Sequence, residues 1–267
     1  MMTVLKMLGS ALLLFALLSV DFIDLRISMT LLRTPVQLTI VAFVDTLLLG
    51  YFVTASRWSD WREWVAVFSV MYGVNYLLTA MESIYLGGIL SAKMVTGILA
   101  NGAISSAVFA AVLVWVLGKK GGEVPKRARL AMRGRDWAWK IVGSGAVYVL
   151  LFVLFGFAIY YPLARALDPA GLASEQSIAS SSATLILPVE VVRGAIWALL
   201  AVPAIAALRL DRRRTALTVG MLFAVPMSGS ILLSTTMAPG LQMAHLAEVF
   251  GENLAFGLLV TWILHPH

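Results

Sequence analysis

Three ionisable residues near the carboxyl terminus repeat at helical spacing. His245, Glu248 and Glu252 follow an i, i+3, i+7 pattern, which places their side chains on one face of an α-helix. An imidazole and two carboxylates can bind one divalent metal ion and activate its water, so these three residues form the predicted metal site. Without a metal, a carboxylate in apolar surroundings can act as a general base, and Glu248 is our candidate for that role.

A second group of polar residues lies earlier in the chain and can complete such a site. Glu190 and Arg193 are i, i+3 neighbours that can pair within one helix. Arg193 is the candidate for stabilising an oxyanion, with help from Asn253. We expect Glu190, Glu82, Asn253 and Asn101 to bind substrate or to add ligands. These residues, with His245, Glu248, Glu252 and Arg193, are the predicted functional residues.

The same residues permit three different functions. The first expectation is a membrane-embedded hydrolase, with or without one metal ion, acting from the outer side on a lipid or peptide. The alternative is a proton- or cation-coupled transporter, because buried carboxylates beside a histidine and an arginine are the usual parts of a proton relay. The second alternative is a structural or assembly subunit, in which Glu190–Arg193 fixes helix register. Asp45 stands apart and is expected to be structural.

The elements that position these residues must be membrane helices. Of the 267 residues, 60% are hydrophobic and 13% are charged, and the mean hydropathy is +0.90. This composition excludes an ordinary soluble enzyme. The chain has no cysteine, which excludes disulfides and thiolate catalysis. In a membrane protein the net charge of +6 indicates basic cytoplasmic loops, and we expect no nucleic-acid partner.

Eight stretches are long and apolar enough to cross a bilayer. The sequence therefore predicts an all-α, polytopic membrane helix bundle that forms a single domain. A basic cytoplasmic loop is expected at 119–137, and an outer loop that can act as a mobile lid at 164–183. The predicted spans are about 4–20, 35–55, 63–87, 92–118, 138–163, 184–208, 215–237 and 241–264.

The basic residues predict the orientation of the bundle. Lys and Arg concentrate in the 119–137 loop and in the short loop after span six, where Arg209 and Arg212 to Arg214 lie. By the positive-inside rule this side is cytoplasmic, so both termini are predicted to be inside. We expect a cytoplasmic membrane of the prokaryotic type, whose lipids surround the protein.

This orientation gives the buried charges a common depth. The ionisable residues singled out above in spans three, six and eight fall between the predicted outer interface and the middle of the membrane, namely Glu82, Glu190, Arg193, His245, Glu248 and Glu252. Each such charge costs several kcal/mol unless it faces the bundle interior and is paired, protonated or hydrated. The sequence therefore predicts that these three spans converge on a polar pocket open to the outer side, with span four nearby.

Overall fold

The computed structural model describes residues 2–21, 26–28, 34–85, 91–118, 134–181, 183–234 and 237–264. Within these residues the chain is helical apart from one hairpin of two-residue strands, β1 (Val20–Asp21) and β2 (Arg26–Ile27), which pair antiparallel. The helices are α1 (Met2–Leu18), α2 (Pro35–Ala55), α3 (Asp60–Tyr72, a π-helical turn at Gly73–Leu77, then Leu78–Tyr85), α4 (Ala92–Leu117), α5 (Gly134–Phe155, a π-helical turn at Gly156–Tyr160, then Tyr161–Leu167), α6 (Pro169–Ser181), α7 (Ala183–Ala207), α8 (Arg212–Leu232) and α9 (Pro239–Leu264).

Seven of these helices are long and apolar enough to cross a membrane, namely α2, α3, α4, α5, α7, α8 and α9. They coincide with the second to eighth predicted spans within a few residues. The helix at the first predicted span, α1, has 17 residues and a length of about 26 Å, which is slightly less than the hydrocarbon thickness of about 30 Å. The chain is thus a multi-pass helical membrane protein.

The prediction of an outer loop at 164–183 is corrected by the structure, because most of this segment is helical. Helix α5 continues to Leu167, and α6 begins at Pro169 after a single linking residue, Asp168. The backbone N–H of Gly171 donates to the Asp168 carboxylate at 2.9 Å, which satisfies one of the free donors at a helix start. Proline is also favoured in the first turn. The Asp-Pro-Ala-Gly sequence therefore starts a helix here.

The basic loop predicted at 119–137 lies mostly outside the described residues, which resume at 134. Its last residues belong to α5, which begins at Gly134.

One end of the bundle gathers the described basic residues that the sequence places in the cytoplasm. The Lys6 ammonium donates to the Val116 carbonyl at 2.8 Å, and Arg212 donates to the Trp262 carbonyl at 2.7 Å. The loop after α2 pairs with the loop after α7 through a backbone bridge between Ser56 and Leu208. We call this the basic end. Helix α1 starts at the basic end and α9 ends there. The side of the membrane that the basic end faces stays a prediction.

Two glycine contacts set the positions of the helices that carry charged residues. A Cβ on Gly257 of α9 would lie 2.4 Å from the Cα of Gly220 on α8, and a Cβ on Gly194 of α7 would lie 2.9 Å from the Cα of Gly145 on α5. Small residues let helix backbones approach this closely in membranes. The α8–α9 pair and the α5–α7 pair are therefore held at short range.

Candidate functional site

The buried face of α9 carries a histidine–carboxylate pair. The Nδ1 atom of His245 lies 2.7 Å from Oε2 of Glu248, at hydrogen-bond distance. The His245 side chain is 27% exposed, whereas the Glu248 side chain is only 5% exposed. His245 lies about 9 Å along α9 from its first residue and Glu248 about 14 Å. The pair therefore lies near the end of the bundle opposite to the basic end. It connects the protein surface there to the bundle interior.

Helix α7 contributes a second, fully buried pair. The Nη1 atom of Arg193 lies 3.4 Å from both carboxylate oxygens of Glu190. Glu190 is 0% exposed and Arg193 is 3% exposed. The Arg193 guanidinium also lies 5.7 Å from the centre of the Tyr148 ring, which is within the range of a cation–π interaction. The predicted pairing of Glu190 with Arg193 is thus present.

Glu252 joins the two pairs. Its carboxylate accepts a hydrogen bond from the Tyr148 hydroxyl and interacts electrostatically with Arg193, Glu190 and Glu248. Glu252 is 3% exposed, and its Oε1 atom has no hydrogen-bond partner within the described part of the chain. Helices α5, α7 and α9 therefore meet at one polar site. We call it the carboxylate cluster, and it consists of Tyr148, Glu190, Arg193, His245, Glu248 and Glu252.

Charge is unevenly balanced in the carboxylate cluster. Three carboxylates face one arginine, and the histidine is the remaining group that can carry positive charge. An uncompensated charge in the apolar interior costs several kcal/mol. A cluster of this composition is stabilised when it takes up a proton or another cation.

Tyrosine residues of α5 complete the surroundings of the cluster. The Tyr160 ring lies 5.5 Å from the His245 ring in an edge-to-face arrangement, and the Tyr160 hydroxyl donates to the Glu175 carboxylate of α6. Tyr160 belongs to the π-helical turn at Gly156–Tyr160, whose backbone lies against Glu248: a Cβ on Gly156 would be 3.6 Å from Oε1 of Glu248. Turns of this kind are frequent at functional sites.

The sequence did not identify Tyr148, Tyr160 or Glu175 as site residues. Tyr160 lies at the end of the predicted span 138–163, and Glu175 lies in the predicted outer loop at 164–183. Tyr148 is an uncharged residue in an apolar span, so no charge drew attention to it. Its position in the middle of that span is the one available signal.

Two predicted site residues, Asn101 and Asn253, donate hydrogen bonds to groups outside the carboxylate cluster. The Asn101 amide donates to the Asp21 carboxylate of the hairpin at 2.8 Å. The Asn253 amide donates to the Val249 carbonyl of its own helix at 2.9 Å. The side chain of Glu82 lies outside the described residues. Of the three spans expected to converge, α7 and α9 do meet, and their partner at the cluster is α5.

The structure does not assemble the predicted metal triad. Glu248 is bonded to His245, whereas Glu252 is turned towards Tyr148 and Arg193. Throughout the described ranges, no group of three or more histidine, aspartate or glutamate side chains is arranged to hold a metal ion. A divalent metal at His245, Glu248 and Glu252 thus stays a prediction from the sequence.

Comparisons with known proteins identify no relative of this chain. No protein family, curated protein or solved structure matches the chain. The fold defines the class, a polytopic helical membrane protein, and any function has to be argued from the carboxylate cluster itself.

Proposed function

We propose that the protein is a proton-coupled membrane transporter in which the carboxylate cluster binds and releases the coupling proton. The observation that carries the proposal is the set of three buried carboxylates around one arginine, connected to the surface by the half-buried His245. This is the alternative expected from the sequence. We favour the transporter over the hydrolase because the guanidinium of Arg193 faces Glu190 and Glu252. In this position the guanidinium is poorly directed at a substrate oxyanion.

The groups are ordered by their access to water. His245 is partly exposed and hydrogen-bonded to Glu248, so it can exchange a proton with solvent and pass it to a buried carboxylate. Glu252 lies about 20 Å along α9 from its first residue, near the middle of the helix. A proton that moves from His245 through Glu248 to Glu252 therefore travels from the surface to the middle of the membrane.

Arg193 gives the proposed relay a release step. It interacts with both Glu190 and Glu252, and a positive charge favours the ionised form of a neighbouring carboxylate. A change in the position of Arg193 between the two carboxylates would therefore change which of them holds the proton. Coupling to a solute requires only that the solute favours one of these arrangements.

Charge movement after a pH step tests this proposal. Protein in proteoliposomes on a solid-supported membrane should give a transient current when the pH is lowered, because protons enter the membrane field. Glu252→Gln should lose most of that displaced charge. Asp136→Asn, which neutralises an exposed carboxylate in the first turn of α5, is the matched control and should keep it. Wild-type protein without a current above that of empty liposomes would refute the proposal.

A hydrolase stays the second candidate because of the His245–Glu248 geometry. A carboxylate that accepts from Nδ1 orients the imidazole and leaves Nε2 to act as a general base. In that case His245 is the base and Glu248 the orienting residue. Hydrolysis of a lipid ester or peptide should then disappear in His245→Ala and persist in Glu252→Gln. Loss of solute uptake in Glu252→Gln, without any hydrolysis by wild-type protein, would exclude this candidate.

A further inference from the structure

A separate buried carboxylate lies outside the carboxylate cluster, on α2. Asp45 is 3% exposed and is the eleventh of the 21 residues of α2, so it lies about 15 Å from either end of the helix. It makes no hydrogen bond or ion pair within the described residues. The sequence alone suggested a capped or hydrated structural residue, and the structure provides no such cap.

One titratable group, the Tyr76 hydroxyl of α3, interacts electrostatically with Asp45, and it is uncharged in its ordinary state. Helices α1, α4 and α8 also pack on α2, and their described residues place no charged group against Asp45. An ionised carboxylate would therefore have no counter-charge among the described residues.

Helix α8 packs against α2 one helical turn from Asp45. A Cβ on Gly229 would lie 3.0 Å from a methyl carbon of Val41, which is one helical turn before Asp45 on the same face of α2. The next residue on α8, Ser230, donates its hydroxyl to the amide oxygen of Asn75 at 3.2 Å. Asn75 directly precedes Tyr76, and both belong to the π-helical turn of α3 at Gly73–Leu77. Ser230 thus lies in the last turn of α8, near the end of the bundle opposite to the basic end, and its partner Asn75 lies next to Tyr76 in the π-helical turn of α3.

From this arrangement we infer that Asp45 is the anionic ligand of a second site, which binds a monovalent cation, a proton or Na⁺, in the middle of the membrane. A buried carboxylate without a partner must be neutralised to be tolerated at that depth, and oxygen ligands suit both ions. Coupling-ion sites of transporters are commonly found at this depth. The inference stands whether or not the carboxylate cluster moves protons.

Thermal unfolding of the purified protein tests the site and separates the two ions. A ligand that binds only the folded state raises Tm, so a saturating cation should raise the wild-type Tm by about 5–10 °C. One arm replaces choline chloride with NaCl at constant ionic strength, and the other lowers the pH without Na⁺. Asp45→Asn, which keeps the shape and removes the charge, should lose the response to NaCl, or the part of the pH response that Asp45 adds to that of the carboxylate cluster. Asp136→Asn, on the surface, should retain it.

The outcomes are distinct. A response to NaCl that Asp45→Asn removes identifies Na⁺, and a response to pH alone that Asp45→Asn removes identifies a proton. Equal responses in wild type and Asp45→Asn, or no response to either ion in wild type, would overturn the inference.

A second measurement needs no variant. Dicyclohexylcarbodiimide reacts with carboxyl groups in apolar surroundings, and mass spectrometry can locate its adduct on the peptide that carries Asp45. Labelling of wild-type protein should be slowed by NaCl if Na⁺ is bound, or by raising the pH if a proton is bound. If neither NaCl nor pH changes the labelling rate at Asp45, the inference of a cation site is contradicted.

Discussion

Glu252 is the residue through which the two halves of the carboxylate cluster interact. It interacts electrostatically with Glu190 and Arg193 on α7 and with Glu248 on its own helix, and Glu248 in turn is hydrogen-bonded to His245. The i, i+3, i+7 spacing on α9 and the i, i+3 spacing on α7 could be predicted from the sequence, since helix geometry alone brings such residues to one face. The hydrogen bond from Tyr148 to Glu252 could not be predicted, because it depends on how α5 packs against α9.

The two members of the Glu190–Arg193 pair should contribute unequally to the free energy of unfolding. Arg193→Met leaves three carboxylates without their arginine, so we expect a loss of about 3–5 kcal/mol in the free energy of unfolding. Glu190→Gln should cost less, because Glu252 still compensates Arg193. Equilibrium unfolding in mixed micelles measures both values.

An exposed pair of the same spacing provides the control. Arg214 lies 3.3 Å from the Asp211 carboxylate, and both side chains are largely exposed. Solvent screens such pairs, so Arg214→Met should leave the unfolding free energy unchanged within error. Similar losses for Arg193→Met and Arg214→Met would show that the buried pair is not buried in the membrane-embedded protein.

At the scale of helices, glycine contacts decide which faces meet. The seven long helices could be predicted from apolar length, because each bilayer crossing needs about 20 apolar residues. Helix α6 could not, since its Ala- and Ser-rich sequence resembles a loop. Nor could the partner of α7, because the approach of Gly145 to Gly194 is a tertiary contact that neither span shows by itself.

The α8–α9 contact makes a sharp prediction for one glycine. In Gly257→Ala the added methyl group would lie 2.4 Å from the backbone of Gly220, so the helices must separate. We expect a loss of about 1–3 kcal/mol in unfolding free energy. In Gly143→Ala, on α5, nothing lies within 4 Å of the added methyl, and the better helix propensity of alanine should stabilise the protein slightly. Equal effects of the two substitutions on Tm would contradict the close packing of α8 against α9.

Helix α6 should be docked against the bundle. Leu172 is buried against Leu241 and Ala244 of α9, whereas Ala173 is exposed. The chain has no cysteine, so single cysteines can be labelled without background. A cysteine at Ala173 should react quickly with a maleimide and one at Leu172 slowly. Tyr160→Phe, which removes the hydrogen bond to Glu175, should accelerate labelling at position 172. Equal rates at both positions would indicate a loop, as the sequence alone suggests.

At the scale of the whole molecule, the buried acids and the basic residues occupy different regions. The net charge of +6 comes largely from loops, whereas the interior of the bundle carries an excess of carboxylates. The positive-inside bias predicts which end faces the cytoplasm. The structure adds that Lys6, Arg57, Arg209 and Arg212 lie at one end.

The orientation of the bundle can be measured with two single-cysteine variants. Ala173→Cys lies on α6, at the predicted outer end, and Arg213→Cys lies on the first turn of α8, at the basic end. In intact cells a membrane-impermeant maleimide should label position 173 and leave position 213 unlabelled until the cells are opened. The reverse pattern would invert the predicted topology and place the exposed face of His245 in the cytoplasm.

Infrared difference spectroscopy between two pH values shows whether the carboxylate cluster holds an exchangeable proton. A protonated carboxyl group has a C=O stretching band that the carboxylate lacks. We expect a band in wild-type protein that changes with pH, is reduced in Glu252→Gln and is unchanged in Asp136→Asn. A pH-dependent band of equal size in wild type and Glu252→Gln would contradict this expectation.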